Sequence, residues 1–320
     1  MVSAENKIAG TSFVNIAGTS SSALAQMGVR IRKLLDIKDT ALPALQVFKG
    51  QRIAIDAFAE SFSRADLRLL VRCGVLDDDG STLGSAFCLH LVEDFLILTD
   101  PDVPTDQQAP LYLDPLWEGH CLARILVRGF SHSSLDMGSG CGVLSLIMAR
   151  YSEEVIGVDI NPRAVALAKF NAAINNVRNV AYVNGDLFKP VRGRKFNRIV
   201  FNSPVDAIFT GQPEMLSTGE DILARFFGEL PQYLTSDGYC QVNLEAKDLP
   251  GSNFNSRLSL WLGPEAKKFQ RLILLKYEKV IAEDERMWRG WLTMRRGQDS
   301  FPSTYAGMIS CQQIFRKSLP

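Results

Sequence analysis

Three short stretches of this 320-residue chain hold residues whose types and spacing suit chemistry. The first runs Asp136-Met137-Gly138-Ser139-Gly140-Cys141-Gly142, between the short run "SSLDM" and the apolar "VLSLIMARY". Glycines at a strand-to-helix turn let the chain bend sharply and bring backbone N–H groups to a ligand at the helix N-terminus. A dinucleotide fingerprint would be G-x-G-x-x-G, and here Val143 stands where the last glycine belongs. A Walker loop would continue Gly-Lys-Ser/Thr, and none follows. The second stretch is "EVIGVDINPRA", with Asp159 placed 19 residues after Gly140 at the end of an apolar run. An acid at such a strand end can accept both hydroxyls of a ribose. Spacing alone thus points to a nucleoside-type ligand and no further. The third stretch is "FNSPV", where Asn202, Ser203, Pro204 and Val205 close the apolar run beginning at Phe196. It reads either as a strand-end turn or as a reaction site, because ligands in open α/β sheets bind beyond the carboxyl ends of the strands.

The elements that must position these residues follow from pattern. Residues 1–20 are rich in Ser, Thr, Gly and Ala and read as a mobile arm. "SSALAQMGVRIRKLLDI" has helical periodicity, with Leu24, Met27, Ile31 and Leu34 on one face. "RIAIDAFAESF" and "RADLRLLVRCGVL" read as helices, the second capped by Ser63, and "AFCLHLVEDFLILTD" as a hairpin turning at Glu93-Asp94. Helix, helix and hairpin resemble a winged helix, so residues 21–105 are expected to form an accessory unit. The four prolines of "LTDPDVPTDQQAPLYLDP" mark a linker. From 106 to 320, short apolar strands alternate with helices: "SSLDM", "EVIGVDI", "NVAYVN", "NRIVFN", "YCQVNLE", "RLILLKY". That alternation is the signature of a doubly wound, Rossmann-like α/β sheet. A last, antiparallel strand is expected near Met308–Arg316. Residues 279–305, with Trp288 and Trp291, would then be an insertion that covers the site or binds an acidic substrate.

The glycine loop, Asp159 and the stretch "VNGDLFKPV" match, in order and spacing, the first three motifs of class I S-adenosylmethionine (SAM) methyltransferases, which this chain resembles. The resemblance implies a seven-stranded sheet and SAM as methyl donor or substrate. It implies cofactor contacts from Asp136, Gly138, Ser139, Gly140 and Gly142. Asp159 would take the ribose with Ile160 beside it, Asp186 the adenine amino group, and Leu187 the ring. Asn202 would face the sulfonium. The fourth motif resembles the Asn-Pro-Pro-Tyr/Phe branch, which includes the release-factor glutamine methyltransferases and the adenine-N6 and guanine-N2 enzymes. There the asparagine oxygen and a proline carbonyl accept hydrogen bonds from the target –NH2, and the aromatic residue stacks on a flat target. The likeness spans Tyr112 to Glu245, with Tyr112, Trp117 and Glu118 as further lining candidates. Asn202 and Pro204 are kept here, whereas Ser203 replaces a proline and Val205 the aromatic residue. Val205 cannot stack as Tyr or Phe would, which argues against a nucleobase target. Ser203 gains an N–H and a hydroxyl, so the site is expected to donate as well as accept.

Three functions fit these motifs. One is methyl transfer to a nitrogen of a small molecule or protein side chain, an in-line displacement governed by positioning, with Asn202 orienting the acceptor. A second is cyclisation of SAM itself with release of methylthioadenosine, as in azetidine-2-carboxylate synthases. A third is a non-catalytic SAM-binding module. Composition narrows the partners. Lys+Arg and Asp+Glu are 35 each, so no overall basic surface speaks for nucleic acid. No stretch approaches the 18 apolar residues of a membrane span. The beginning of the chain lacks a signal-peptide pattern, and the six cysteines are scattered without C-x-x-C, which suggests a reducing, cytoplasmic setting and no metal site. The oligomeric state is left open.

Overall fold

The computed structural model describes residues 14–36, 42–100, 118–204, 219–247, 253–282 and 285–297. The N-terminal elements are helices α1 (Ser21–Asp36), α2 (Pro43–Gln46), α3 (Ile55–Ala59) and α4 (Arg64–Arg72). Strands β1 (Ile53–Ala54), β2 (Asp77–Asp78) and β3 (Thr82–Gly84) form a small antiparallel sheet, and β4 (Cys88–Val92) pairs with β5 (Phe95–Thr99) in a hairpin. The local chemistry explains the boundaries. The Ser63 hydroxyl accepts from the Asp66 N–H while the Asp66 carboxylate accepts from the Ser63 N–H, a capping box that starts α4. The hairpin turns at Glu93 and Asp94, both with positive φ (47° and 70°), as a two-residue turn matched to strand twist requires. "RIAIDAFAESF" yields only the short α3, because its first residues pair as β1. Residues 14–20 are not a mobile arm: Val14 is buried and the Asn15 N–H donates to the Cys73 carbonyl at 3.0 Å.

After α5 (Glu118–Ile125) comes the central sheet. Its strands are β6 (Ser131–Met137), β7 (Ser152–Asp159), β8 (Val180–Asn184), β9 (Phe196–Asn202), β10 (Leu234–Lys247), β11 (Phe269–Ala282) and β12 (Glu285–Arg296). They lie in the order β11-β12-β10-β9-β6-β7-β8, with β12 antiparallel to both neighbours and β6 to β10 parallel. Side chains alternate between two apolar layers. Leu135, Met137, Val158, Ile199 and Phe201 pack with α8 (Gly219–Tyr233) and α9 (Phe254–Leu262). Val155, Val200 and Tyr182 pack with α6 (Val143–Ala149) and α7 (Pro162–Ile174). Strands covered on both faces read as unbroken apolar runs, which is why the sequence revealed them.

The seventh strand is the exception. The segment expected to be an insertion contains β12 itself, placed between β10 and β11. Its described part has a short buried run, Leu292, Thr293 and Met294, bounded by Trp291 and by Arg295 and Arg296, so no long apolar run marked it as a strand. Met308–Arg316 lies outside the described residues.

The N-terminal elements and α7 share one core. Helix α1 crosses α7 so closely at Gly28 that a Cβ there would stand 1.8 Å from the Ile174 carbonyl oxygen. Two side-chain amides, of Asn171 in α7 and of Asn175 at its C-terminal cap, then act as a surrogate strand for β5. Asn171 Oδ1 accepts from the Leu98 N–H and Asn171 Nδ2 donates to the Leu98 carbonyl, each at 3.0 Å. Asn175 does the same for Leu96, at 2.9 and 2.7 Å. At the start of α7, Arg163 grips the buried Asp100 carboxylate with two guanidinium nitrogens. Among the described residues, no helix is long and apolar enough to cross a membrane, and no side-chain cluster could hold a metal ion.

Candidate functional site

The glycine loop joins β6 to α6 at the carboxyl end of the sheet. Gly138, Gly140 and Gly142 all have positive φ (63°, 52° and 84°), which residues with a Cβ rarely adopt. A side chain at Gly142 would also collide with Tyr182, whose hydroxyl lies 2.5 Å from the would-be Cβ. One strand over, β7 ends in Asp159. Its Oδ2 accepts from the Gly140 N–H and its Oδ1 from the Asn161 N–H, both at 2.8 Å. Asp159 therefore ties the loop to the turn that opens α7, where Asn161 caps the helix and Pro162 occupies its first position. Burial raises the Asp159 carboxyl above its ordinary range, and the two backbone N–H groups oppose that shift. Ile160 next to it is an exposed large apolar residue.

Asp136 is enclosed beneath the loop. It is fully buried, Ser145 Oγ donates to its Oδ2 at 2.5 Å, and Oδ1 has no partner among the described residues. Burial pushes this carboxyl from 3.8 up to about 7, against the Ser145 hydrogen bonds and with the help of Asp159. Asp186 lies past the end of β8, where Lys189 (2.8 Å) and Arg225 (2.5 Å) both pair with its Oδ2. Burial alone would raise that carboxyl, and the two cations more than reverse the shift. Leu187 is buried with φ +45°, a conformation that bulky residues avoid and that recurs at ligand sites.

The "FNSPV" motif comes to the same end of the sheet. β9 lies beside β6 with Met137 opposite Phe201. A Cβ on Gly138 would sit 3.3 Å from the Phe201 ring and 3.7 Å from the Asn202 carbonyl oxygen, so the two motifs abut. Phe226 of α8 backs Phe201, ring centroids 4.7 Å apart. Asn202 is half-buried and Pro204 exposed, while Val205, Tyr112 and Trp117 lie outside the described residues. Glu118 begins α5.

Ser203 requires a correction. Its hydroxyl and N–H were expected to serve a substrate. Instead both donate to the Asn243 carbonyl, at 2.7 and 3.2 Å, and the residue is 2 % exposed. A proline could make neither bond. Ser203 thus fastens the motif to β10. Sequence reading also missed Asn243, which lies opposite Asn202 on β10 and donates its Nδ2 to Asn202 Oδ1 at 2.8 Å. The signal was there: a polar residue inside the apolar run "YCQVNLE" at the carboxyl end of a strand. Asn171 was missed for another reason. Its Nδ2 also reaches the Cys141 carbonyl of the glycine loop at 2.9 Å, a contact that only the packing of α7 creates.

These groups suit SAM. Ser139 Oγ and Asn161 Nδ2 are buried beside the loop without a partner among the described residues, and such atoms are ordinarily satisfied. A ligand rich in hydroxyl, carboxylate and amino groups would complete them. Comparison with known proteins agrees. The family model for the methyltransferase small domain matches residues 119–250. A Methanocaldococcus jannaschii protein, provisionally named protein N5-glutamine methyltransferase, is 37% identical over 145 residues, 42% of this chain and 72% of its own length. The ribosomal protein uL3 glutamine methyltransferase of Xanthomonas campestris is 33% identical over 126 residues, 34% of this chain and 41% of its own. The ribosomal RNA small subunit methyltransferase C of Alcanivorax borkumensis is 33% identical over 135 residues, 42% of this chain and 36% of its own. The chain thus spans less than half the length of the latter two. These relatives carry methyltransferase names, and the cyclisation and non-catalytic alternatives find no support among them. With the sheet order, the glycine loop and Asp159 in place, the chain belongs to the class I SAM-dependent methyltransferases, in the branch marked by an Asn-Pro-Pro-Tyr-like motif, here Asn202-Ser203-Pro204-Val205.

Proposed function

We propose that this protein methylates the side-chain amide nitrogen of a glutamine in a protein substrate. The observation that carries the reading is Asn202, held at the end of β9 against the glycine loop with its amide fixed by Asn243. Two of the relatives above bear glutamine methyltransferase names, which supports the same acceptor. A glutamine amide offers a planar –NH2 that needs a hydrogen-bond acceptor but no broad stacking platform. That fits a motif with Val205 in place of an aromatic residue. The zero net charge favours a protein over RNA, despite the ribosomal RNA relative.

Bound SAM supplies an electrophilic methyl group on its sulfonium. The chain supplies geometry. Gly138, Ser139, Gly140 and Gly142 line the loop that would receive the methionine portion. Asp159 would accept the ribose hydroxyls through the lone pairs left by its backbone bonds. Ile160, Asp186 and Leu187 would flank the adenine. Asn202 Oδ1 would accept a hydrogen bond from the acceptor N–H and so hold the lone pair toward the methyl group. As the N–C bond forms, the C–S bond breaks to leave S-adenosylhomocysteine, and the proton lost from nitrogen passes to solvent. Asp136 and Ser203 act by shaping the loop and the motif.

The test uses SAM with a labelled methyl group and the purified protein. It is offered peptides carrying an exposed glutamine, the same peptides with asparagine, and ribosomal RNA. N5-methylglutamine in the peptide, with S-adenosylhomocysteine as co-product, is the expected result. Label in RNA alone, or methylthioadenosine formed without any acceptor, would overturn it.

A further inference from the structure

The Asn202 amide has two prongs of nearly equal size and opposite chemistry. Oδ1 accepts hydrogen bonds and Nδ2 donates them. Methyl transfer to an –NH2 group needs the accepting prong in one defined place, because a donor there would repel the acceptor's hydrogens. A half-exposed asparagine at a strand end can turn its amide over unless a neighbour holds its oxygen with a donor. Asn243 is that neighbour. It stands opposite Asn202 in the register of β9 and β10, and it is fully buried. Its Nδ2 donates to Asn202 Oδ1 at 2.8 Å. The next residue is bound to it as well, since the Ser203 N–H and hydroxyl both end on the Asn243 carbonyl. Two successive motif residues are therefore fastened to a single residue of the adjacent strand. Oδ1 has two lone pairs, and Asn243 takes one of them.

We propose that Asn243 is a positioning residue that sets the polarity of the Asn202 amide, so that the remaining lone pair of Oδ1 faces the N–H of the methyl acceptor. The inference rests on the reading of Asn202 as the acceptor-orienting residue. Asn243 needs no contact with SAM or with the acceptor.

The experiment is a double-mutant cycle in the full chain. Asn243→Leu keeps shape and the backbone carbonyl while removing the donor. Asn243→Asp, which also lacks a donor at that prong, serves if the leucine variant does not fold. Each is made alone and together with Asn202→Ala. The expected result is a fall in kcat of up to about 100-fold for Asn243→Leu, the scale of a small misplacement at the reacting centre. SAM affinity, measured by calorimetry without an acceptor, should stay within about threefold of wild type if the effect is purely positional. In the Asn202→Ala background, Asn243→Leu should cost nothing further, since it acts only through Asn202. The side-chain amide signals of Asn202 in the cofactor-free protein should also shift when Asn243 is replaced. An unchanged kcat for Asn243→Leu, or full additivity with Asn202→Ala, would overturn the inference. Retained activity in Asn202→Ala alone would instead overturn the role given to Asn202.

Discussion

In the proposed site Asp159 serves both the fold and a ligand. Its two oxygens hold the glycine loop to the α7 turn. Asp159→Ala removes those anchors together with the proposed ribose acceptors. Titration calorimetry should show SAM affinity lowered by about 100-fold or more, the worth of one to two charge-assisted hydrogen bonds. Asp136 makes a pH-dependent contribution. Buried, it holds its proton up to about pH 7, whereas its ordinary value is 3.8. Between those values the folded cofactor-free protein carries a proton that the unfolded chain has lost. The contribution of this group to stability is therefore full below about pH 4, declines as pH rises to about 7 and then levels. Asp136→Asn should remove this group's share of the decline and leave that of Asp159, as followed by urea unfolding at a series of pH values. A wild-type profile that rises relative to the variant between pH 4 and 7 would contradict this. Both acids were legible in the sequence by type and spacing. Their environments were not, because burial is a property of what packs above them.

At the scale of elements, the amides of α7 do work that a strand would normally do. Asn171 closes both hydrogen-bonding groups of Leu98 and also holds the Cys141 carbonyl of the glycine loop. Asn171→Ala leaves a buried N–H and carbonyl unmet. It should cost about 3 kcal/mol, the order expected for stranded buried polar groups. Hydrogen exchange should find the Leu98 amide unprotected, with the rest of the central sheet unchanged. The inner strands β6, β7 and β9 were readable because they are covered on both faces, as were α1 and α4 from their periodicity and the Ser63 cap. β12 was not readable, since arginines stand on both sides of its short run Trp291–Met294. Its place between β10 and β11 depends on pairing with residues far away in the chain.

Across the whole molecule, the N-terminal elements share a core with α6 and α7. The Asp100–Arg163 pair lies within that assembly, with side chains 2 % and 12 % exposed. Asp100→Ala would leave a buried guanidinium without its carboxylate and should destabilise the protein by about 3 kcal/mol. Because the core is continuous, urea unfolding should remain a single transition that shifts to lower concentration, with tryptophan fluorescence and circular dichroism tracing the same curve. Two separated transitions would show that the N-terminal unit is held independently of the SAM-binding sheet.

The sequence by itself determined the doubly wound sheet, the glycine loop, the acid at the end of β7 and the asparagine at the end of β9. These are set by local pattern: apolar runs, glycines where φ is positive, and polar residues at strand ends. Tertiary structure decided what each polar group does. It turned Ser203 inward onto Asn243, set the Asn243 amide against Asn202, enclosed Asp136 and hung β5 on the side chains of α7. A hydrogen bond needs a partner at a given distance, and for these residues the partner arrives from another strand or helix, a pairing that no window of sequence contains.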